Sequence, residues 1–404
     1  MSETKNNQRQ PALAGIRVLD FSRVIAGPLC TQQLADLGAE VIKVENTVTG
    51  DEVRGFEEDG TPGRTPFFLG FNRTKKSVAI DLKTPEGCEV ALALAGECDV
   101  LVENFRPGVM KKFGLDQETV RKKYPALIYL SISAYGADVP MSDRPGYDPV
   151  LQAESGMMEL TGEPDGSPMR TGLSMIDTLT AAHASTSICA ALLARQQSGE
   201  GDYIDLALLD TAIGALGNMA MTWLTTGRLP TRSGNSHIEA TPTDLFRTGT
   251  EPIYMAVSSN RMFGKLCTDI LNKPELATDP MFSVPKARLK HRPELKAIIE
   301  DVLLTQPATH WLQKMRHLPA GRVRTLDQAL LSEEVAAREM VQTLTEDDGN
   351  EISLLGTGFK FQNTPVQAPE PPPKFAQHTE SVLSDVLGFN DEKIDQLKAM
   401  GIIR

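Results

Sequence analysis

Between residues 13 and 132 the chain alternates short apolar runs with helix-like segments, and that alternation leaves few folds open to it. Residues 16–21, 40–45, 77–82, 99–105 and 127–132 read as strands, each rich in Val, Ile and Leu. Residues 29–37 read as a helix stopped by Gly38, and 116–123 as another. A third helix starts at Thr84-Pro85, a cap residue followed by proline at the first helical position, and ends near Gly96. Strands and helices in that order build a parallel sheet covered on both faces: an α/β, doubly wound, Rossmann-like domain. Ligands of such sheets bind beyond the carboxyl ends of the strands. Asn104, Ser133, Tyr135 and Gly136 fall there.

The first strand–helix–strand unit ends in an acid, Glu45, as units that hold a ribose do. The glycine fingerprint for a pyrophosphate is missing, since Gly27-Pro28 stands alone in the connecting loop. Nicotinamide binding is therefore disfavoured. Residues 47–76 are loop-rich, with Gly50, Gly55, Gly60 and Gly63, and close on Phe71-Asn72-Arg73-Thr74-Lys75-Lys76. Three cations so close could neutralise phosphates, or could form a solvated basic turn.

After an irregular stretch, 137–176, which contains Pro145-Gly146-Tyr147-Asp148, comes a long helix, 178–197, built from Ala, Ser, Thr and Leu. A stretch so long without periodicity is usually functional or set against a partner. Asp177 stands at the head of the helix. One reading makes it the N-cap, accepting from the N–H of Leu179 or Thr180. The other makes it a carboxylate nucleophile toward an activated acyl group. The two are compatible, because a helix N-terminus favours negative charge.

Beyond the glycine turn at 199–201, a helix runs from Leu208 to about residue 224. Residues 228–243 form a loop holding Gly234, Asn235, Ser236 and His237; a lone histidine in such a loop is either a surface group or a mobile catalytic one. A strand at 253–257 and helices to about 315 suggest a smaller α+β domain. The domain expectation is 12–225 for the first part of the large domain, 226–330 for the small one and 331–404 for the return. Within the last, the proline-rich 367–374 reads as an extended spacer and 391–400 as a closing helix.

The formal net charge of −12 excludes a general nucleic-acid role, so any phosphate needs a local basic pocket. Cys30, Cys88, Cys98, Cys189 and Cys267 are scattered without a CxxC pair, which suits buried free thiols in a reducing compartment and no metal site. The first eleven residues are polar, and no run of eighteen apolar residues occurs. A cytoplasmic, soluble protein without a membrane role is expected. No G-x-S-x-G, HExxH, P-loop or His/Cys cluster is present, which weakens hydrolase, metalloenzyme and kinase readings.

Many stretches resemble the class III CoA-transferases, the family of formyl-CoA:oxalate and carnitine CoA-transferases, and keep that family's order from near residue 13 to the C-terminus. They include LAGIRVLDFSRVIAGP, LGAEVIKVEN, FFLGFNRTKKSVAIDLKTPEG, DVLVENFRPGVMKKFG, SISAYG, GYDPVLQAESGMMELTG, SGEGDYIDLALLD, SGNSHIEATP and LGFNDEKIDQLKAMGII. The resemblance implies that Asp177 is the nucleophile and that Lys75, Asn104, Phe105 and Lys112 contact CoA. Arg73, Ser133 and Tyr135 join that list as the basic run and the strand ends. Tyr147, Gly234, Asn235 and His237 form the substrate loop. Ile25 stands where formyl-CoA transferase has glutamine, Asn46 where it has arginine and Ser133 where it has lysine. Tyr147 stands where the related α-methylacyl-CoA racemases carry a histidine, which makes two-base proton exchange harder to build. The implied chemistry moves CoA from an acyl-CoA donor, succinyl-CoA in this reading, to a small carboxylic or dicarboxylic acid through aspartyl anhydride and aspartyl-CoA thioester intermediates. CoA is then a substrate, with no permanently bound cofactor, and the chain an interlocked homodimer. A racemase and a non-catalytic acyl-CoA binder are the alternatives.

Overall fold

β1 (Arg17–Asp20), β2 (Glu40–Glu45), β3 (Lys75–Ala79), β4 (Val100–Glu103), β5 (Ile128–Ser133) and β6 (Tyr203–Ala207) form one sheet in the order β3-β2-β1-β4-β5-β6. Every neighbouring pair is parallel. This computed structural model describes residues 9–56, 65–346 and 348–404. The first eight residues of the polar N-terminal stretch, and Gly60 and Gly63 of the expected loop, lie outside the described residues. The order reverses between β1 and β4, which opens a crevice at their carboxyl ends.

The period-two pattern of the strands supplies both apolar layers. Val18, Val41, Val100, Val102 and Leu130 join one, with the helices Ala26–Asp36 and Met175–Ser198. Leu19, Ile42, Leu101 and Tyr129 join the other, with Pro85–Gly96 and the C-terminal helices Thr379–Leu387 and Asp391–Ala399. The long helix buries Thr180, Ala181, Ala184, Ile188 and Leu192, one stripe whose small members let the Ala26–Asp36 helix approach closely. It stops at Gly199, whose left-handed φ of 74° lets its N–H reach the Arg195 carbonyl at 2.8 Å. Gly201 follows because a Cβ there would lie 2.1 Å from the Leu127 carbonyl oxygen.

Three features differ from the sequence reading. β3 begins at Lys75, two residues before the expected start, because Lys75 and Lys76 pair with Val41 and Ile42 of β2 and are not a solvated turn. A hairpin, β10 (Val341–Thr345) with β11 (Glu351–Leu355), forms in the return segment. The segment Met158–Arg170 belongs to a second compact unit with residues 222–335, held there by the Gly234 N–H on the Gly162 carbonyl and by Arg232 on Glu159.

That second unit has its own core, with Phe246, Ile253, Met255, Leu295, Ile299 and Trp311, around the antiparallel sheet of β7 (Thr243–Phe246), β8 (Ile253–Ala256) and β9 (Ala320–Arg322). In the first unit the proline-rich arm is a strap along the outer edge of β3. Thr74 donates to the Glu370 carbonyl, Ser77 N–H to His378 Nδ1, and Ala79 N–H to Thr379 Oγ1; Ile80 makes a bridge to Ile403. All five cysteines are free. Among the described residues no helix is long and apolar enough to cross a membrane.

Candidate active site

A cavity opens at the carboxyl ends of β1, β4 and β5, and Asp177 is on its wall. The same wall carries Asn104, Phe105, Ser133 and Tyr147 of the expected site residues, together with Ile25, Arg23, Arg106 and Arg144. A second cavity, at the ends of β2 and β3, is lined by Phe21, Val44, Asn46, Ile80, Leu82, Lys83 and Phe113. Arg23 and Phe105 are common to both walls.

Asp177 is not the N-cap. The long helix starts at Met175 after Ser174, whose side chain makes no capping bond, and Asp177 is its third residue. The start is secured from a distance. Asp148 Oδ2 accepts the N–H groups of Ile176 at 2.7 Å and Asp177 at 3.1 Å, and its Oδ1 accepts from Gln152 at 2.6 Å. Asp148 is itself 4 % exposed, at the first turn of the helix Asp148–Glu154. The Asp177 carboxylate therefore has no capping duty, and among the described residues neither oxygen accepts a hydrogen bond. Its pKa is pushed up to about 7, by burial first and by the neighbouring Asp148 charge second.

The expected Asp177 N-cap bond to Leu179 or Thr180 does not form because the helix already starts at Met175, which places Asp177 inside its first turn; the N–H groups that Asp148 takes are those of Ile176 and Asp177. Asp148 was absent from the expected site. If Asp177 acts in its ionised form, Asp148→Asn is expected to lower its pKa and move the acid limb of kcat/KM to lower pH. An unmoved limb in the pH–rate profile, or one moved upward, would contradict that coupling.

The loop after β1 is tightly determined. Asn104 Oδ1 accepts the Arg23 N–H and its Nδ2 donates to the Arg23 carbonyl, both at 2.8 Å. Val24 then takes a left-handed φ of 68°, rare for a β-branched residue and a form of strain that marks functional loops. The Arg23 guanidinium lies 4.8 Å from the centre of the Phe105 ring, and its Nε is buried without a partner. Behind this loop the helix Ala26–Asp36 begins with no side-chain cap and no acid in its first turn.

The basic run serves the fold. Lys75 is buried and donates to Asp20 at 3.1 Å, to the Pro28 carbonyl and to Asn72. Arg73 is buried against Asp36, and Lys76 pairs with Glu40 at 2.6 Å. Arg73, two residues before β3, and Lys75, at its start, each have their charge satisfied within the fold, and neither lines the two cavities. Burial alone would raise Asp20, but Lys75, Lys43 and two hydroxyls hold it at about 2. Lys112 is exposed on the short helix Val109–Lys112 and lines neither cavity. Ser133 Oγ accepts the Gly136 N–H at 2.9 Å. Tyr135 stands one layer behind the wall, its OH donating to Glu154 at 2.7 Å.

Gly234, Asn235 and His237 belong to the second unit. There the Asn235 carbonyl accepts from the Tyr254 OH, and His237 is tied on both sides, by its N–H to the Thr243 carbonyl and by Arg292 to its own carbonyl. Arg23, Arg106 and Arg144 were also missed. Their signal was position, since Arg23 and Arg106 each follow the end of a strand at the switch point.

The sequence profile of CoA-transferase family III matches residues 13–379. A succinate–glutarate CoA-transferase of Agrobacterium fabrum is 37 % identical over 94 % of this chain and 96 % of its own. A succinyl-CoA:glutarate CoA-transferase of Mus musculus is 35 % identical over 97 % of this chain and 90 % of its own. Among solved structures, a CAIB/BAIF family protein from Brucella suis superposes with a TM-score of 0.83 at 33 % identity, covering 94 % of this chain and all of that one.

Proposed function

The chain belongs to CoA-transferase family III, and from that premise we propose that it moves CoA between a dicarboxylic acyl-CoA, succinyl-CoA first, and a second small carboxylic acid through a covalent Asp177. The observation that carries this reading is the Asp177 carboxylate: unbonded, raised to about 7, on the wall of a cavity at the switch point of the sheet. An unbonded carboxylate of raised basicity is a better nucleophile than one blunted by donors.

In the first step an Asp177 oxygen attacks the thioester carbonyl carbon, the C–S bond breaks, and an aspartyl–acyl anhydride and CoA thiolate result. The thiolate attacks the aspartyl carbonyl of that anhydride and expels the donor as a free carboxylate, leaving an aspartyl-CoA thioester. The acceptor carboxylate then attacks this thioester, regenerating thiolate and a new anhydride. Attack of the thiolate on the acceptor's acyl carbon releases the product and frees Asp177. Each step has a developing oxyanion, for which the uncapped start of the Ala26–Asp36 helix offers N–H groups beside the same cavity. Both intermediates hydrolyse if water enters, which the apolar Ile25 and Phe105 on the wall oppose.

The nucleotide end of CoA suits the second cavity, whose Phe21, Val44, Ile80 and Phe113 are apolar and whose Lys83 and Arg23 are cationic. Arg23 and Phe105, shared by both walls, would flank the arm that joins the two ends. Tyr147 where a base would be needed favours transfer over α-proton exchange. A second copy of the chain would cover the helix Gly217–Thr226, none of whose residues is buried and which exposes Met221, Trp223 and Leu224; this supports the dimer reading.

Incubation with succinyl-CoA, quenching with hydroxylamine and peptide mass mapping tests the covalent step. A hydroxamate confined to the peptide with Asp177 is expected. A blank across succinyl-CoA and other acyl-CoA donors would overturn the mechanism.

A further inference from the structure

We propose that Arg144 is the counter-ion for the free, non-reacting carboxylate of a dicarboxylic acyl group, and so selects diacids over monoacids at the Asp177 cavity; this rests on Asp177 as the nucleophile. Three arginines reach that wall, and their settings differ. Arg23 borders the second cavity as well, which gives it to the CoA arm. Arg106 is on the turn after β4 and also borders a third cavity, on the side of Tyr129 and Tyr203.

Arg144 alone is both framed and tied to the nucleophile. Its guanidinium lies 4.7 Å from the centre of the Tyr135 ring, and its Nη2 donates to Glu154 Oε1 at 2.5 Å. The other Glu154 oxygen accepts from the Tyr135 OH, so ring, acid and arginine fix one another. Four residues on, Asp148 anchors the same segment to the N–H groups of Ile176 and Asp177. The guanidinium is therefore held in register with the reacting carboxylate.

Glu154 takes only Nη2. Nε and Nη1 have no partner among the described residues, and the side chain is half exposed. A planar fork with free donors is matched by a carboxylate, which it can bind with two parallel bonds. The carboxylate it binds cannot be the attacking one, since pairing there would quench the nucleophile. The far end of a diacid meets both conditions.

The test compares succinyl-CoA with butyryl-CoA, which has a methyl group in place of the free carboxylate. Loss of a charge-assisted pair predicts that Arg144→Gln lowers kcat/KM for succinyl-CoA by about 10- to 100-fold. For butyryl-CoA the loss is at least about tenfold smaller, and inhibition by free CoA shifts less than about threefold. Arg144→Lys, which keeps charge but not the fork, falls between. Glu154→Gln removes the frame and shows a weaker loss with the same selectivity. Equal losses for the two donors, or none, in both Arg144 variants would overturn the assignment while leaving Asp177 labelling intact. Failure of the wild-type chain to label at Asp177 with either donor would instead remove the reading beneath it.

Discussion

Asp177→Ala will lose CoA transfer by about 10⁴-fold or more, the scale seen when a covalent nucleophile is removed, while CoA binding changes only a few-fold. Among the described residues the carboxylate takes part in no hydrogen bond, and Asp148 secures the helix start without it. The loss should therefore appear in kcat and in the covalent label together. A variant that keeps more than a few per cent of the wild-type rate would end the covalent reading.

The same carboxylate has a thermodynamic signature. Its pKa is about 7 in the folded chain against 3.8 ordinarily, so between those values the folded state holds a proton that the unfolded state has released. Its contribution to stability then falls as pH rises from about 4 to 7 and stays unfavourable above. Asp177→Asn should melt higher than wild type at pH 8, with the gap closing toward pH 5. A gap that widened on acidification would contradict the raised pKa.

Glu45→Ala will destabilise the large unit by about 3–5 kcal/mol, the cost of leaving one member of a buried pair alone. Glu45 is 4 % exposed and accepts from Arg54 Nε at 2.7 Å, Arg54 Nη2 at 2.8 Å, the Asp51 N–H at 2.8 Å and Ser77 Oγ at 2.6 Å. Arg54 also lies 3.5 Å above the Phe68 ring and donates to the Pro373 carbonyl, so it has no route to water. Burial by itself would raise the Glu45 carboxyl, but the bonds and charge of Arg54 hold it below its ordinary value. Its contribution is thus present above the ordinary carboxylate range and is lost as pH falls through the folded pKa; wild type and variant converge in acid. Replacing Arg54 by methionine in the Glu45→Ala background should recover most of the loss in denaturant midpoints. A single-variant effect under about 1 kcal/mol would show the pair to be solvated.

Elements whose identity is local were legible. β1, β2, β4 and β5 are short apolar runs between helix signals, and the small residues of the long helix mark a crowded interface. Elements decided by distant partners were not. Lys75 and Lys76 look like a turn until β2 and Asp20 receive them. Asp148-Pro149 is readable as a helix start, but nothing local says that its oxygen serves a second helix 28 residues on. Of the two readings of Asp177, the capping one does not hold, because the helix already starts at Met175, earlier than the sequence suggests, while its place near the head of the helix was correct. The hairpin β10–β11 did carry a usable signal, Asp348-Gly349 between alternating runs.

The strap on β3 sets the order of synthesis against the order of completion. Ser77 and His378 are 301 residues apart, and the bond between them closes only after residue 378 has been made. While the ribosome works through the second unit, β3 must wait with its outer N–H and C=O groups bare, the condition in which strand edges recruit other chains. Folding of the large unit is therefore gated by its last segment, and loss of the tail exposes an edge laid down near the start.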